Sequence, residues 1–202
     1  TDWTLYRPGG LDLASRPEWS IGLGFVRKNR DRARWLFALA RWACIPFSLL
    51  GGYLCWRWAG ELYGESAGTI ALALWCLSPN VFAWSATVLP DVAAAALGVA
   101  AGYCFWRWLK EPDGFNGLLA GVTLGLAQLT KMTWIVLFGL WPLVWLVWIG
   151  RSRRGLVSVP RRSQALQLAG LLVTGLFVLN LGYAFEGTFT RLGRFTFVSR
   201  TL

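Results

Sequence analysis

The 202-residue chain is 55% hydrophobic, carries 14 Trp and has a mean hydropathy of +0.47, which excludes an ordinary soluble domain. Its net charge is +10, yet the basic residues gather at the ends and in one connecting stretch, a pattern of membrane orientation rather than the solvated basic face of a nucleic-acid binder. The absence of His excludes histidine-based triads, zinc motifs and imidazole acid-base catalysis.

Residues 1–34 are polar and punctuated by Pro8-Gly9-Gly10 and Arg16-Pro17, and they end in the basic cluster Arg27, Lys28, Arg30, Arg32 and Arg34. They read as an extracytoplasmic loop or interfacial segment, with Trp3, Tyr6, Trp19 and Phe25 at headgroup level. Residues 35–186 then form the apolar body, and residues 187–202 begin a further extracytoplasmic or interfacial segment. The first residue is not Met and no signal-like stretch follows it, so the chain reads as a fragment cut at both ends.

A helix needs ~20 residues to cross a ~30 Å hydrocarbon core, and the body offers about six hydrophobic segments. Segment A is 35–56, B is 67–86 with Pro79 inside, C is 91–109, D is 117–130, E is 132–149 and F is 163–185. The fold expected is all-α: a polytopic transmembrane helix bundle. Segment D is short, and no Gly or Pro separates it from E, but one helix from Gly117 to Ile149 would be ~50 Å long. A break near Lys131 is therefore expected.

Charge supports that break. Arg151, Arg153, Arg154, Arg161 and Arg162 mark the stretch between E and F as cytoplasmic, and counting back through a D/E hairpin puts Arg107, Lys110 and Arg57 on the same side. The stretch Ser78 to Asp91, Lys131 and Glu186 then share the outer side, although the basic N-terminal segment opposes the rule. Gly52-Tyr53-Leu54-Cys55-Trp56-Arg57-Trp58 closes A, and Gly102-Tyr103-Cys104-Phe105-Trp106-Arg107-Trp108 closes C; both suit tryptophan anchoring and arginine snorkelling at an interface. Gly117, Gly121 and Gly125 repeat at the four-residue spacing that lets helices approach closely in lipid, so C and D are expected in the interior. The four cysteines, Cys44, Cys55, Cys76 and Cys104, lack metal-ligand spacing and read as small buried hydrophobes.

Three ionisable residues in the body lack an interfacial explanation. Arg41 either snorkels or stacks on tryptophan, or it grips an anionic headgroup through its forked donors. Asp91, after Pro90, either complements the dipole of helix C or serves a site. Lys131 either ends a short hairpin or meets a ligand. Taken together, one carboxylate and two cations on one level describe a site for a phosphate-bearing, lipid-soluble ligand.

The stretches Arg57-Trp58-Ala59-Gly60-Glu61-Leu62-Tyr63-Gly64, Leu77-Ser78-Pro79-Asn80, Pro90-Asp91 and Leu118 through Gln128-Leu129-Thr130-Lys131, in this order, resemble the membrane core of glycosyltransferase family 39. This GT-C-fold family includes the protein O-mannosyltransferases and the aminoarabinose transferase of lipid A. The resemblance covers Phe37 to Trp148, and Gly182-Tyr183-Ala184-Phe185-Glu186-Gly187 and Phe197-Val198-Ser199-Arg200 add to it more weakly.

The resemblance implies a multi-pass cell (inner) membrane enzyme with its site on the extracytoplasmic side. Such an enzyme moves a sugar from a polyprenyl-phosphate carrier to a protein, lipid or glycan acceptor, inverting the anomeric carbon. A carboxylate deprotonates or orients the acceptor, and cations stabilise the departing phosphate. By resemblance Lys131 faces the carrier phosphate, Arg41 matches the arginine of an Ala-Arg pair, and Asp91 matches the aspartate after the Ser-Pro-Asn break. No metal ligands are assigned.

Two departures stand out. Trp84 occupies a position that is often His in relatives. The family's catalytic acidic motif lies in the first outer loop, and Asp2, Asp12 and Glu18 do not match it. The chain thus reads as the carrier-binding part of a transferase without its principal base. Two other readings remain: a non-catalytic scaffold or subunit, which would put Asp91 and Lys131 in direct contact with each other or a partner helix, and a transporter, which would need a polar path to both sides.

Overall fold

The computed structural model describes residues 17–151, 159–189 and 191. Asp2, Asp12, Trp3, Tyr6, Arg153, Arg154 and the motif from Phe197 to Arg200 lie outside the described residues. The chain divides into two units, 1–40 with 189–202, and 41–188.

In the first unit, residues expected as a loop or interfacial segment include a helix, α1 (Pro17–Asn29). Its first residue is proline, whose missing N–H costs nothing in the first helical turn. A turn at Arg30, with φ 40°, leads into α2 (Arg32–Trp42), and Phe25 meets Phe37 edge-on at 5.6 Å.

Segment A is not one uninterrupted helix. The chain turns at Ala43 and Cys44 and restarts as α3 (Ile45–Tyr63), because Pro46 supplies no N–H to a helix running through it. Segment B likewise splits at Ser78 into α4 (Glu65–Leu77) and a short α5 (Pro79–Trp84). There follow α6 (Asp91–Lys110), α7 (Gly114–Thr130), a 3₁₀ turn over Met132–Ile135, α8 (Val136–Arg151) and α9 (Arg161–Gly182). Among the described residues four stretches are long and apolar enough to cross a membrane: Arg32–Tyr63, Asp91–Lys110, Met132–Arg151 and Arg161–Gly182. The 13-residue α4 and 17-residue α7 complete the six segments. The protein is an all-α membrane helix bundle.

Side-chain contacts in the second unit fix how its helices run. Trp75 packs against Gly51 and Gly52 and donates its indole N–H to the Ser48 carbonyl at 3.0 Å, while Gly68 abuts Trp56, so α4 runs antiparallel to α3. Leu54 packs with Ala100 and Tyr103, and Trp58 meets Trp106 at 6.2 Å, so α3 and α6 are parallel. Trp108 lies beside Gly117 and Asp91 reaches Lys131, making α6 and α7 antiparallel. Gly121 abuts Leu171 and Thr174, Gly125 abuts Gly175 and Val178, and Leu129 abuts Gly182, which sets α9 parallel to α7. Finally, Trp134 lies on Gly98 and Trp141 stacks on Phe105 at 4.3 Å and 3°, aligning α8 with α6.

These directions sort the unit into two ends. One holds Ser78 to Asp91, Lys131 and the turn after Gly182; the other holds Arg107, Lys110, Arg151 and Arg161, with Arg57 toward it. This is the partition expected from the charge pattern. Between the ends lies an apolar core in which Ala101, Trp108, Ala120, Leu124 and Ala127 have no exposed surface. Helix α6 has 56% of its most apolar window buried, against 6% for the α8 stretch, so the interior place expected for segment C is observed. The four cysteines are free, but none is fully buried as expected: Cys44, Cys55 and Cys104 are half-buried, and Cys76 is exposed on α4.

Candidate active site

Asp91 opens α6, directly after Pro90, so its charge sits in the first turn, where a carboxylate complements the helix dipole. Lys131 ends α7 in extended backbone, φ −156° and ψ 121°. The break needs neither Gly nor Pro. The Thr130 hydroxyl donates to the Ala127 carbonyl at 2.6 Å, competing with the helical pattern, and the Trp134 indole docks on Gly98 and holds the 3₁₀ turn that follows.

The two breaks meet. Lys131 Nζ donates to Asp91 Oδ1 at 3.0 Å, and the side chains are 48% and 49% exposed. A pair this open exchanges partners readily, whereas a buried pair would be trapped by the loss of hydration. Arg41 is exposed in the last turn of α2, just before α3, and the parallel packing of α3 on α6 brings it toward the Asp91 end. Among the described residues, however, its guanidinium makes no ion pair with Asp91. Two of the three predicted site residues are therefore joined, and the third is not.

Beneath Lys131 lie polar groups that the sequence reading did not single out. Gln128, one turn earlier, is 1% exposed, and among the described residues neither its amide oxygen nor its nitrogen has a partner; the buried indole N–H of Trp134 has none there either. Such groups are rare in protein interiors. At the same end Asn180 donates to Leu176 O, accepts from the Thr188 hydroxyl at 2.8 Å and lends its carbonyl to the Phe185 N–H, so it organises the turn containing Tyr183 to Gly187. Ala184 and Phe185 in that turn have φ of 49° and 59°, a conformation that L-residues adopt only under constraint.

An apolar groove of about 200 Å³ between α3, α4 and α5, lined by Leu49, Leu72, Trp75 and Phe82 among others, opens toward the same end. Trp84, where relatives often carry His, sits exposed at the end of α5. Among the described residues no three His, Cys, Asp or Glu side chains are grouped to hold a metal ion.

The opposite end is built differently. Arg57 pairs with Glu61 at 2.6 Å, Glu61 accepts the Tyr103 hydroxyl at 2.8 Å, and Lys110 lies 4.5 Å from the Trp106 ring centre. The two Trp-Arg-Trp repeats thus come together as an aromatic and basic collar, as expected at an interface.

A bundle of spanning and half-spanning helices with an open carboxylate–ammonium pair between two helix ends is the architecture of a membrane protein with a polar site at one boundary. The family model for dolichyl-phosphate-mannose-protein mannosyltransferase matches residues 35–182, and the chain belongs to that family of membrane glycosyltransferases. Neither the curated proteins nor the solved structures give a match to the chain.

Proposed function

We propose that the chain forms the carrier-binding part of a glycosyltransferase that uses a polyprenyl-phosphate sugar, with the site at the Asp91 end and that end facing the extracytoplasmic side. The observation that carries this reading is the half-exposed Lys131–Asp91 pair. A lipid-linked phosphate is a better partner for an ammonium at a membrane boundary than a carboxylate already favoured by a helix N-terminus. On binding, the phosphate takes Lys131 and releases Asp91. An acceptor hydroxyl then forms the new bond to the anomeric carbon, its proton passes to a carboxylate, and the sugar–phosphate bond breaks with its electron pair on the phosphate, where Lys131 stabilises it. Asp91 orients the hydroxyl or takes the proton. Arg41 stands by as a second cation for the carrier, and the groove along Leu49 and Phe82 suits part of its apolar chain. The placement of the Arg107 collar and Arg151 on the cytoplasmic side follows the positive-inside rule.

Direct contact between Asp91 and Lys131 also favours a second reading, a structural clamp between α6 and α7 in a non-catalytic scaffold. The apolar core between the two ends gives no support to a transporter.

Exchanging the two residues separates the readings. In membranes supplied with polyprenyl-phosphate mannose, Lys131→Gln and Asp91→Asn should both lower transfer. The swapped variant, Asp91→Lys with Lys131→Asp, keeps an ion pair between the two helix ends but should not recover transfer. Recovery of transfer by the swap would establish the clamp and remove the phosphate role.

A further inference from the structure

A second groove lies far from the Asp91 end. Leu140, Leu143, Val144, Val147 and Trp148 form a stripe on α8 that ends at Arg151, and together they line an open groove of about 620 Å³. That volume is within the range of small-molecule sites. The stripe is apolar up to Arg151, whose side chain lines one end of the groove. Arg161 Nη2 donates to Ile149 O at 3.4 Å, so a second guanidinium stands at the same end of α8.

We infer that this groove holds an anionic phospholipid, one acyl chain along Leu140 to Val147 and the phosphate on Arg151. Charge and length select the occupant. The cationic mouth favours a lipid of net negative charge over a zwitterion, whose own ammonium offsets part of the attraction of its phosphate. From Leu140 to Arg151 the helix rises ~16 Å, about one leaflet of a ~30 Å hydrocarbon core. A lipid of the leaflet at the Arg107 end fills that length, whereas a packed helix of a second copy would use a seam through both leaflets. The groove is at the end opposite Lys131, so this lipid is distinct from the proposed sugar carrier.

The test uses the chain reconstituted in equal parts phosphatidylcholine and phosphatidylglycerol, released and weighed by native mass spectrometry. Phosphatidylglycerol should be retained in preference to phosphatidylcholine. Arg151→Gln should reduce that preference about fivefold, the worth of one basic residue at a lipid surface, and Lys131→Gln should leave it unchanged. Val147→Trp, which fills the groove and keeps Arg151, should lower retention of both lipids and serves as an independent arm should Arg151→Gln unfold. Equal retention of the two lipids by the unaltered chain, loss of the preference in Lys131→Gln, or disulfide-linked dimers in vesicles that form with a Val144→Cys variant and not with the unaltered chain would overturn the assignment.

Discussion

The indole of Trp134 lies so close over Gly98 that a methyl group there would overlap its ring carbons Cζ2 and Cη2. This contact fastens the turn after Lys131 to the helix that begins with Asp91, so it sets the register between the two charged residues. Gly98→Ala is expected to destabilise the bundle by about 1–3 kcal/mol through overpacking. Adding Trp134→Phe should restore part of the loss by making room. Thermal unfolding of the single and double variants checks this; independent, additive losses would mean that the contact does not set the register.

The glycines of α7 are not equivalent. A methyl at Gly121 would stand 2.5 Å from the Leu171 carbonyl oxygen, and one at Gly125 would stand 2.7 Å from the Gly175 oxygen, whereas Gly117 has Trp108 atoms no nearer than 3.6 Å. Gly121→Ala and Gly125→Ala should therefore push α9 away and lower the melting temperature. Gly117→Ala should be neutral or slightly stabilising, since it stiffens the helix without a clash. The order of the three melting temperatures is the readout.

The pair itself should matter little to stability. With both side chains half exposed, a double-mutant cycle of Asp91→Asn and Lys131→Gln is expected to give a coupling of about 1 kcal/mol or less. Transfer activity should fall far more than that coupling accounts for. A coupling well above that range would identify the pair as a fastening between α6 and α7.

Gln128 offers a contrasting test. Replacing a buried, unpartnered amide with an apolar side chain of similar shape removes a desolvation penalty, so Gln128→Met should be neutral or stabilising in thermal unfolding. If the amide serves the carrier or acceptor, the same variant loses transfer. A loss of stability would show that the amide is satisfied in the folded membrane protein.

Ala184 is held at φ 49° in the turn organised by Asn180. Ala184→Gly should relieve the backbone and raise stability, while Asn180→Ala should lower it by about 0.5–1.5 kcal/mol, because the turn would lose the Thr188 hydroxyl's bond to the Asn180 amide. Melting curves of the two variants should shift in opposite directions.

Much of this arrangement was legible before any coordinates. The Lys131 break followed from length alone, since a helix from Gly117 to Ile149 overshoots a bilayer, and the two ends followed from where Arg57, Arg107 and Arg151 fall. Lys131 and Asp91 could be placed on one level by counting helices. Their contact could not, because reach depends on side-chain direction. The split at Pro46 was available in the sequence, but a continuous apolar run masked it. The α7 glycine repeat announced a close helix contact without saying that α9 supplies it. Nothing in sequence linked Trp134 to Gly98: a ring seated on a distant glycine leaves no periodic trace in either segment. Asn180 was equally silent, since a polar residue near a helix end has many uses.

Two helix pairs are joined by short links at the Arg107 end. Gly64 alone joins α3 to α4, and Glu111 to Asp113, tied down by the Asn116 N–H on the Asp113 carboxylate, join α6 to α7. At the Asp91 end the links that follow α5 and α7 are irregular, from Ser85 to Pro90 and from Lys131 to Ile135. The α3–α4 and α6–α7 pairs are therefore pinned like tongs at the Arg107 end. A tilt of about 5° along a helix ~30 Å long moves its free tip by about 2.6 Å, so a lipid wedging between α6 and α7 would part Asp91 from Lys131 while leaving the pinned end in place.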